Sequence, residues 1–256
     1  MQKFRAVSHT DIGISKKTNQ DSYGVKVIAN NERETLLAIL CDGMGGMAKG
    51  ELASATVIRA FSDWFEIVFP QKGSMWTMQE IKRQWHMLLK DANTKLIEYG
   101  KNNRMSLGTT ATAILIFPEN NFLIGHVGDT RVYRIANKIE QLTEDHTFVA
   151  REIRRGNMTA EQAKNDNRRN VLLQCIGVNE HFEPQFVEGQ FEEYEGVLLC
   201  SDGLRHMVTE DELYAYLKKE KRESEAMMRN ALKELVELNM QRQETDNITA
   251  ILIDLL

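Results

Sequence analysis

The sequence is poor in cysteine and has no long apolar run. Its three cysteines, Cys41, Cys175 and Cys200, are odd in number and lack metal-ligand spacing, so a disulfide framework and a cysteine zinc site are both disfavoured. The longest apolar runs fall well short of the roughly 18 residues that suggest a membrane span, and the N-terminus lacks the apolar core of a signal peptide. We therefore expect a soluble cytoplasmic protein with no membrane partner.

The chain also lacks a basic cluster. It carries 32 Lys and Arg against 37 Asp and Glu, which gives a formal net charge of −5. Without a basic patch, we expect no nucleic-acid partner. Because an acidic surface repels phosphates, any phosphate chemistry in this chain would need cations at the site itself.

Motifs for covalent catalysis and for nucleotide binding are missing as well. There is no Gly-x-Ser-x-Gly segment, and no cysteine has an arginine six residues later, as a cysteine-phosphatase loop requires; Cys200 has Arg205 five residues on. The glycine-rich stretch at 42–51 lacks the ending of a P-loop and the spacing of a dinucleotide fingerprint. That stretch favours a close backbone approach to a metal at the start of a helix.

Apolar patterns predict the secondary structure. Short segments rich in β-branched residues predict strands at 34–41, 109–117, 121–135, 194–200 and 247–255. Apolar residues recurring every three or four positions predict helices at 51–68, from 77 onward and at 225–240. Because helices arrive in pairs and do not alternate with strands, we expect an antiparallel sandwich with helices on its outer faces.

Local signals mark helix starts and one insertion. Thr77 with Glu80 and Thr209 with Glu212 have the spacing of a capping box. The polar, charged stretch 146–170 predicts a flap with one short helix. We expect residues 1–256 to form a single domain that includes this flap.

Four aspartates stand at the ends of predicted strands. Asp42, Asp129 and Asp202 follow apolar runs, and Asp246 precedes the last strand; a fifth, Asp21, closes a polar turn. Any one of these could be an ordinary turn residue, but the set predicts carboxylates gathered at one rim. Such a cluster needs protonation or bound cations, and oxygen ligands without His or Cys favour Mg²⁺ or Mn²⁺.

Eight motifs together resemble the type 2C metal-dependent protein serine/threonine phosphatases in their compact bacterial form. In chain order they are TNQDS at 18–22, LCDGMGGMAKGELAS at 40–54, LGTTATAIL at 107–115, GHVGDTRVYRI at 125–135, LTEDHT at 142–147, RNVLLQCIG at 169–177, LLCSDGL at 198–204 and TDNITAILI at 245–253. They run almost from end to end of the chain. The resemblance implies an α+β fold, a four-layer α-β-β-α sandwich of two antiparallel sheets with outer helices.

The resemblance also implies roles for residues. Asp42 would bridge two Mn²⁺ or Mg²⁺ ions, with the Gly43 carbonyl on one of them. Asp202 and Asp246 would complete the other ion's ligands, and Asp21 would act mainly through water. Asp129 with Asp202 matches the position of a third, looser ion, and Asp42, Asp202 and Asp246 are the expected catalytic set. A hydroxide that bridges the two ions would attack the phosphoester.

The chain departs from the family pattern at two positions. Lys16 stands where the family has an arginine that grips the substrate phosphate, and lysine cannot form a bidentate fork. We expect weaker phosphate binding at Lys16, although a merely solvated Lys16 is the alternative. Met44 stands where animal members have a histidine, so the leaving group would take its proton from metal-bound water.

Three functions are compared. The first is a phosphatase for phosphoserine and phosphothreonine in proteins, monomeric and opposing a bacterial-type serine/threonine kinase and its substrates. The second is a catalytically weak phosphatase-fold module that binds phosphorylated partners. The third is a nucleotide-binding or nucleotide-hydrolysing enzyme that uses the glycine-rich turn.

Overall fold

Two antiparallel sheets form the centre of the molecule. The computed structural model describes residues 4–30, 33–44, 49–72 and 75–256. In spatial order, the first sheet contains β1 (Phe4–Asp11), β12 (Ile248–Leu255), β11 (Gly196–Cys200), β8 (Arg131–Ile135) and β9 (Ile139–Gln141). The second contains β10 (Gln185–Gln190), β7 (Asn121–Val127), β6 (Ala111–Ile116), β3 (Arg33–Cys41) and β2 (Ser22–Asn30). A short pair joins β4 (Gly43–Met44) to β5 (Gly108–Thr109).

Helices cover the outer face of each sheet. On the second sheet lie α1 (Gly50–Asp63), α2 (Phe69–Lys72) and α3 (Met78–Asn103). Between β9 and β10 come α4 (Phe148–Arg154) and α5 (Ala160–Asn165). On the outer face of the first sheet lie α6 (Asp202–Arg205), α7 (Glu210–Leu217) and α8 (Glu225–Gln241). None of the helices in these described ranges, α3 included, is both long enough and apolar enough to cross a bilayer.

The apolar side chains of a strand alternate between two cores. In β3, Leu36, Ala38 and Leu40 face the other sheet, whereas Leu37, Ile39 and Cys41 face α1 and α3. Successive side chains of a strand point to opposite faces, so a strand buried on both faces reads as a continuous apolar run. A third core lies between the first sheet and α7 and α8. The three cores separate four layers, and the predicted α-β-β-α sandwich is confirmed.

The predicted capping boxes are present. The backbone N–H of Glu80 donates to Thr77 Oγ1 (3.3 Å), and the Glu80 carboxylate accepts from the Thr77 N–H (3.0 Å). The same reciprocal pair joins Thr209 to Glu212 and Thr159 to Gln162. These boxes satisfy N–H groups that a helix start leaves without partners, and they place the starts of α3, α5 and α7.

The strand predicted at 121–135 is two strands. It divides after Val127, where Gly128 has a φ of +119°, a backbone conformation that suits glycine. A Cβ at Gly128 would also collide with Thr110. The turn carries Asp129, so the division positions a candidate site residue. Residues 45–48 of the glycine-rich stretch lie outside the described residues.

The predicted flap segment contains α4 and α5. It begins next to the turn that carries Asp129, because the His146 N–H donates to the Gly128 carbonyl (2.7 Å). The Leu173 N–H donates in turn to the His146 carbonyl (2.8 Å). Its role as a flap, and the single-domain organisation, stay predictions.

Candidate metal centre and active site

The five aspartates singled out from the sequence come together. Asp21 and Asp42 flank β2 and β3 of the second sheet, while Asp202 and Asp246 flank β11 and β12 of the first. Asp129 lies in the turn between β7 and β8. The pKa of Asp42 is raised well above its ordinary value by burial and by the charges of the other four. Both sheets therefore contribute carboxylates to one cluster.

The cluster contains carboxylate oxygens without partners. Burial, with the charges of Asp202 and Asp246, raises the pKa of Asp21 to about 6, and the nearby hydroxyls of Thr249 and Ser201 lower it without offsetting the burial. Both carboxylate oxygens of Asp21 and one of Asp202 are buried and have no hydrogen-bond partner among the described residues. Burying a charged oxygen without compensation is costly, and oxygen-only ligands suit hard divalent cations.

These residues fit a divalent-ion site by charge and donor chemistry. Within the described ranges, no three acidic, histidine or cysteine side chains are placed so that together they could hold a metal ion. The fit therefore rests on the buried, unpartnered oxygens and on the mutual repulsion of the carboxylates. Both features are relieved by positive charge between the side chains.

Two threonines hold the backbone of Asp42. The Asp42 N–H donates to Thr110 Oγ1 (2.8 Å), and the Asp42 carbonyl accepts from the Thr110 N–H (2.9 Å) and from Thr109 Oγ1 (3.0 Å). Thr110 Oγ1 also lies 2.5 Å from Thr130 Oγ1, beside Asp129. The threonines of the 107–115 motif thus fix the position of one aspartate relative to another, a role that the sequence alone did not reveal.

Gly43 is required by packing. A Cβ at Gly43 would collide with the backbone of Gly50 and with the Gln20 carbonyl. The Gly43 N–H donates to that same carbonyl (3.2 Å). Close packing of three backbone segments therefore explains this glycine without an ion, and the Gly43 carbonyl as a ligand stays a prediction.

Asn247 ties Asp246 to the loop between β1 and β2. Its Oδ1 accepts from the Gln20 N–H (2.8 Å), and its Nδ2 donates to the Ile12 carbonyl (2.9 Å). The Asn247 N–H donates to Asp246 Oδ1 (2.8 Å). Asn247 was present in a quoted motif, but its role depends on a contact more than 200 positions away in the chain.

Lys16 lies at the edge of the acidic cluster, next to Asp246. Its Nζ is 2.8 Å from Asp246 Oδ1, and its side chain is 40% exposed. Burial lowers the pKa of Lys16, but the hydrogen bond to Asp246 and the charges of Asp42 and Asp202 outweigh it and raise the pKa above its ordinary value. Lys16 is therefore a charged, half-exposed cation at the mouth of the cluster.

Two further residues beside the cluster were missed by sequence reasoning. His206 Nε2 lies 3.3 Å from Asp202 Oδ2, and its Nδ1 lies 3.3 Å from Glu244 Oε2. Arg205 Nη2 lies 3.2 Å from Asp129 Oδ2. Both residues directly follow the 198–204 motif, and this position was the sequence signal that could have placed them at the site.

Comparisons with known proteins show the family of this chain. The model of the protein phosphatase 2C family matches residues 11–243. The chain belongs to the protein phosphatase 2C family. A serine/threonine phosphatase stp of Listeria monocytogenes is 33% identical over 255 residues, covering 98% of this chain and 96% of the relative.

Solved structures of related phosphatases share the fold. The serine/threonine phosphatase Stp1 from Staphylococcus aureus has a TM-score of 0.85 at 29% identity, covering 98% of this chain and 95% of that one. The catalytic domain of the phosphatase PstP, in complex with two manganese ions, has a TM-score of 0.79 at 26% identity over 100% of both chains. The chain is a metal-dependent protein serine/threonine phosphatase, and the predicted family, fold and enzyme class are confirmed.

Proposed function

We propose that this protein phosphatase 2C holds two divalent cations with Asp21, Asp42, the Gly43 carbonyl, Asp202 and Asp246, and that it hydrolyses phosphoserine and phosphothreonine in proteins there. The observation that carries the proposal is the set of buried carboxylate oxygens of Asp21 and Asp202 that have no partner among the described residues. The two manganese ions of the PstP structure support Mn²⁺. Mg²⁺ is the proposed alternative, because its ligands are the same oxygens.

The chain's own residues prepare the site. Thr110 accepts from the Asp42 backbone N–H, and the Asn247 backbone N–H donates to the Asp246 carboxylate. The Lys16 ammonium, next to Asp246, is placed to attract a phosphate and to offset charge on its oxygens. The chemistry supplied by bound divalent ions is Lewis-acid chemistry, which lowers the pKa of water and polarises phosphoryl oxygens. Buried walls around the carboxylates strengthen each of these electrostatic effects.

The substrates are phosphoproteins, and we propose that they are the targets of a bacterial-type serine/threonine kinase in the cytoplasm. The similarity to bacterial serine/threonine phosphatases supports this proposal. The test measures the rate of phosphate release from three peptides that differ only in carrying phosphothreonine, phosphoserine or phosphotyrosine. We expect turnover of the first two and little of the third.

The site itself is tested with p-nitrophenyl phosphate and a phosphothreonine peptide in Mn²⁺, Mg²⁺ or EDTA. We expect metal-dependent turnover that falls on the order of 100-fold or more in Asp202→Asn, which removes one charged ligand without changing its shape. Asp91→Asn is the matched control, since Asp91 is exposed on α3 and pairs only with Lys95 among the described ion pairs. Equal activity of Asp202→Asn and Asp91→Asn would refute the proposed site.

A further inference from the structure

Asp129 differs from Asp246, whose partner Lys16 is 40% exposed, because its own cationic partner is an arginine with a side chain only 13% exposed. Arg205 Nη2 lies 3.2 Å from Asp129 Oδ2 and donates to the Asp129 carbonyl (3.1 Å). Asp21, in contrast, has no cationic partner among the described ion pairs, and the nearby hydroxyls of Thr249 and Ser201 do not offset the effect of burial on its pKa. Arg205 therefore places a largely buried positive charge beside Asp129, whereas no ion pair of Asp21 is found among the described residues.

Arg205 is fixed in this position by a second carboxylate. Its Nη2 lies 3.7 Å from Asp145 Oδ2, and its side chain is only 13% exposed. Asp145 is itself held by Arg131 through two hydrogen bonds, Nε to Oδ1 (2.8 Å) and Nη2 to Oδ2 (2.7 Å). Arg205 thus stands between two carboxylates and cannot swing away without breaking both contacts.

Two positive and three negative charges lie close together in this group. Arg131 and Arg205 supply the positive charges, Asp129 and Asp145 supply two of the negative ones, and Asp202 supplies the third. Burial and the Asp202 charge raise the pKa of Asp129 to about 7, and the Arg205 charge acts against them. Arginine does not lose its proton in proteins, so the positive charge next to Asp129 is permanent. A divalent cation beside Asp129 would have to displace Arg205 or lie against its charge.

We propose that the Arg205 guanidinium takes the place of the third, looser divalent ion that the family resemblance assigns to Asp129 and Asp202. The chain then holds two divalent ions, and Asp129 is neutralised from within. This inference rests on the proposed two-ion site, and it replaces the expectation that Asp129 is an ion ligand. Arg205 acts as a positioning residue for Asp129.

The test counts bound ions. Mn²⁺ is titrated into the full chain by equilibrium dialysis, with metal analysis of both compartments, up to millimolar free Mn²⁺. Wild type is compared with Arg205→Gln, Arg205→Lys and the double variant Arg205→Gln/Asp129→Asn, each checked for folding by circular dichroism. We expect two ions in wild type and Arg205→Lys, three in Arg205→Gln with the third bound weakly, and two again in the double variant.

Each other outcome overturns the proposal. A third ion in wild type that disappears in Asp129→Asn would show that Arg205 yields to metal. If folded Arg205→Gln binds two ions, Asp129 binds no ion even without Arg205 beside it. A raised KM in that variant would then indicate that Arg205 binds the substrate phosphate. If Arg205→Gln fails to fold, equal ion counts in wild type and Asp129→Asn support the proposal, and a lower count in Asp129→Asn overturns it.

The count also separates this inference from the proposed function. The number of ions in wild type tests the ligands Asp21, Asp42, Asp202 and Asp246. The difference of one ion between Arg205→Gln and wild type tests Arg205. If the wild-type count differs from two, the difference between Arg205→Gln and wild type can still be interpreted, and the reverse also holds.

Discussion

The single positive charge of Lys16 would serve two anions, the Asp246 carboxylate and the phosphate of a bound substrate. Its ammonium contacts Asp246 (2.8 Å), and a substrate phosphate at the same mouth would compete with that carboxylate. Lysine is a compact point charge, whereas arginine can donate two parallel hydrogen bonds to a phosphate from one plane. An arginine could therefore keep one donor on Asp246 and offer another to the substrate.

This geometry predicts opposite effects of two substitutions at position 16. Lys16→Ala should raise KM for a phosphothreonine peptide about tenfold, since a charge-assisted hydrogen bond contributes about 1.5 kcal/mol or more. Lys16→Arg should lower KM below the wild-type value. Steady-state kinetics at saturating Mn²⁺ measure both.

The neighbouring lysine supplies the control. Lys17 is exposed, so Lys17→Ala removes the same charge from the same loop without touching Asp246. KM should change little in Lys17→Ala. Similar KM values in Lys16→Ala and Lys17→Ala would show that Lys16 is merely solvated.

At the scale of residues, the sequence identified the acids but not their partners. Asp42, Asp202 and Asp246 were marked by the apolar strands beside them. The pairing of Arg205 with Asp129 joins residues 76 positions apart, and that of Asn247 with Gln20 joins residues 227 apart. No local pattern carries such information, because these contacts exist only after the two sheets have packed.

At the scale of elements, central strands were predictable and edge strands were not. β3, β11 and β12 are buried on both faces and read as apolar runs. β1, β9 and β10, which the sequence did not predict, each lie at the edge of a sheet. An edge strand keeps much polar side-chain surface and needs its neighbour to complete its hydrogen bonds, so its own sequence gives a weak signal.

The helix predicted at 51–68 changes its geometry near its end. After α1 the chain forms a π-helix over Trp64–Val68, in which the Phe69 N–H donates to the Trp64 carbonyl five residues back. The wider turn lets Trp64, Phe65 and Phe69 all face the core, with 4%, 0% and 5% exposure. In a regular α-helix these three rings would spread over about 140°, and the wider turn narrows that arc. Helical structure continues through Lys72, four residues beyond the predicted end.

The capping box of α3 gives a prediction at this scale. Thr77→Ala removes the acceptor of the Glu80 N–H and should reduce the free energy of unfolding by about 1 kcal/mol. The loss matters because α3 carries Ile81, Trp85 and Leu89 into the core against the second sheet. Urea denaturation of the two proteins measures it.

Thr94 on the same helix is the matched control. It is exposed, and its hydroxyl donates to the Lys90 carbonyl one turn back (3.0 Å). Thr94→Ala should leave the unfolding free energy unchanged or slightly raised, since alanine is the better helix former. An equal loss in both variants would mean that the cap contributes nothing of its own.

At the scale of the whole molecule, closing the sandwich concentrates negative charge. Asp21 and Asp42 come from one sheet, and Asp202 and Asp246 come from the other. Packing the sheets therefore brings together carboxylates that repel one another, in a chain whose net charge is already −5. Divalent ions held between them would join the two sheets as well as serve catalysis.

This coupling predicts that ion binding stabilises the fold. A ligand that binds only the folded state adds about 2.7 kcal/mol at one hundred times its dissociation constant. For a chain of this size, that corresponds to a rise in Tm of about 5–10 °C. Calorimetry of the EDTA-treated protein before and after adding Mn²⁺ measures the rise, and Asp91→Asn should show it in full. In Asp202→Asn the rise should be much smaller, because one of the ligands that joins the sheets has lost its charge; an undiminished rise there would place the stabilising ions elsewhere.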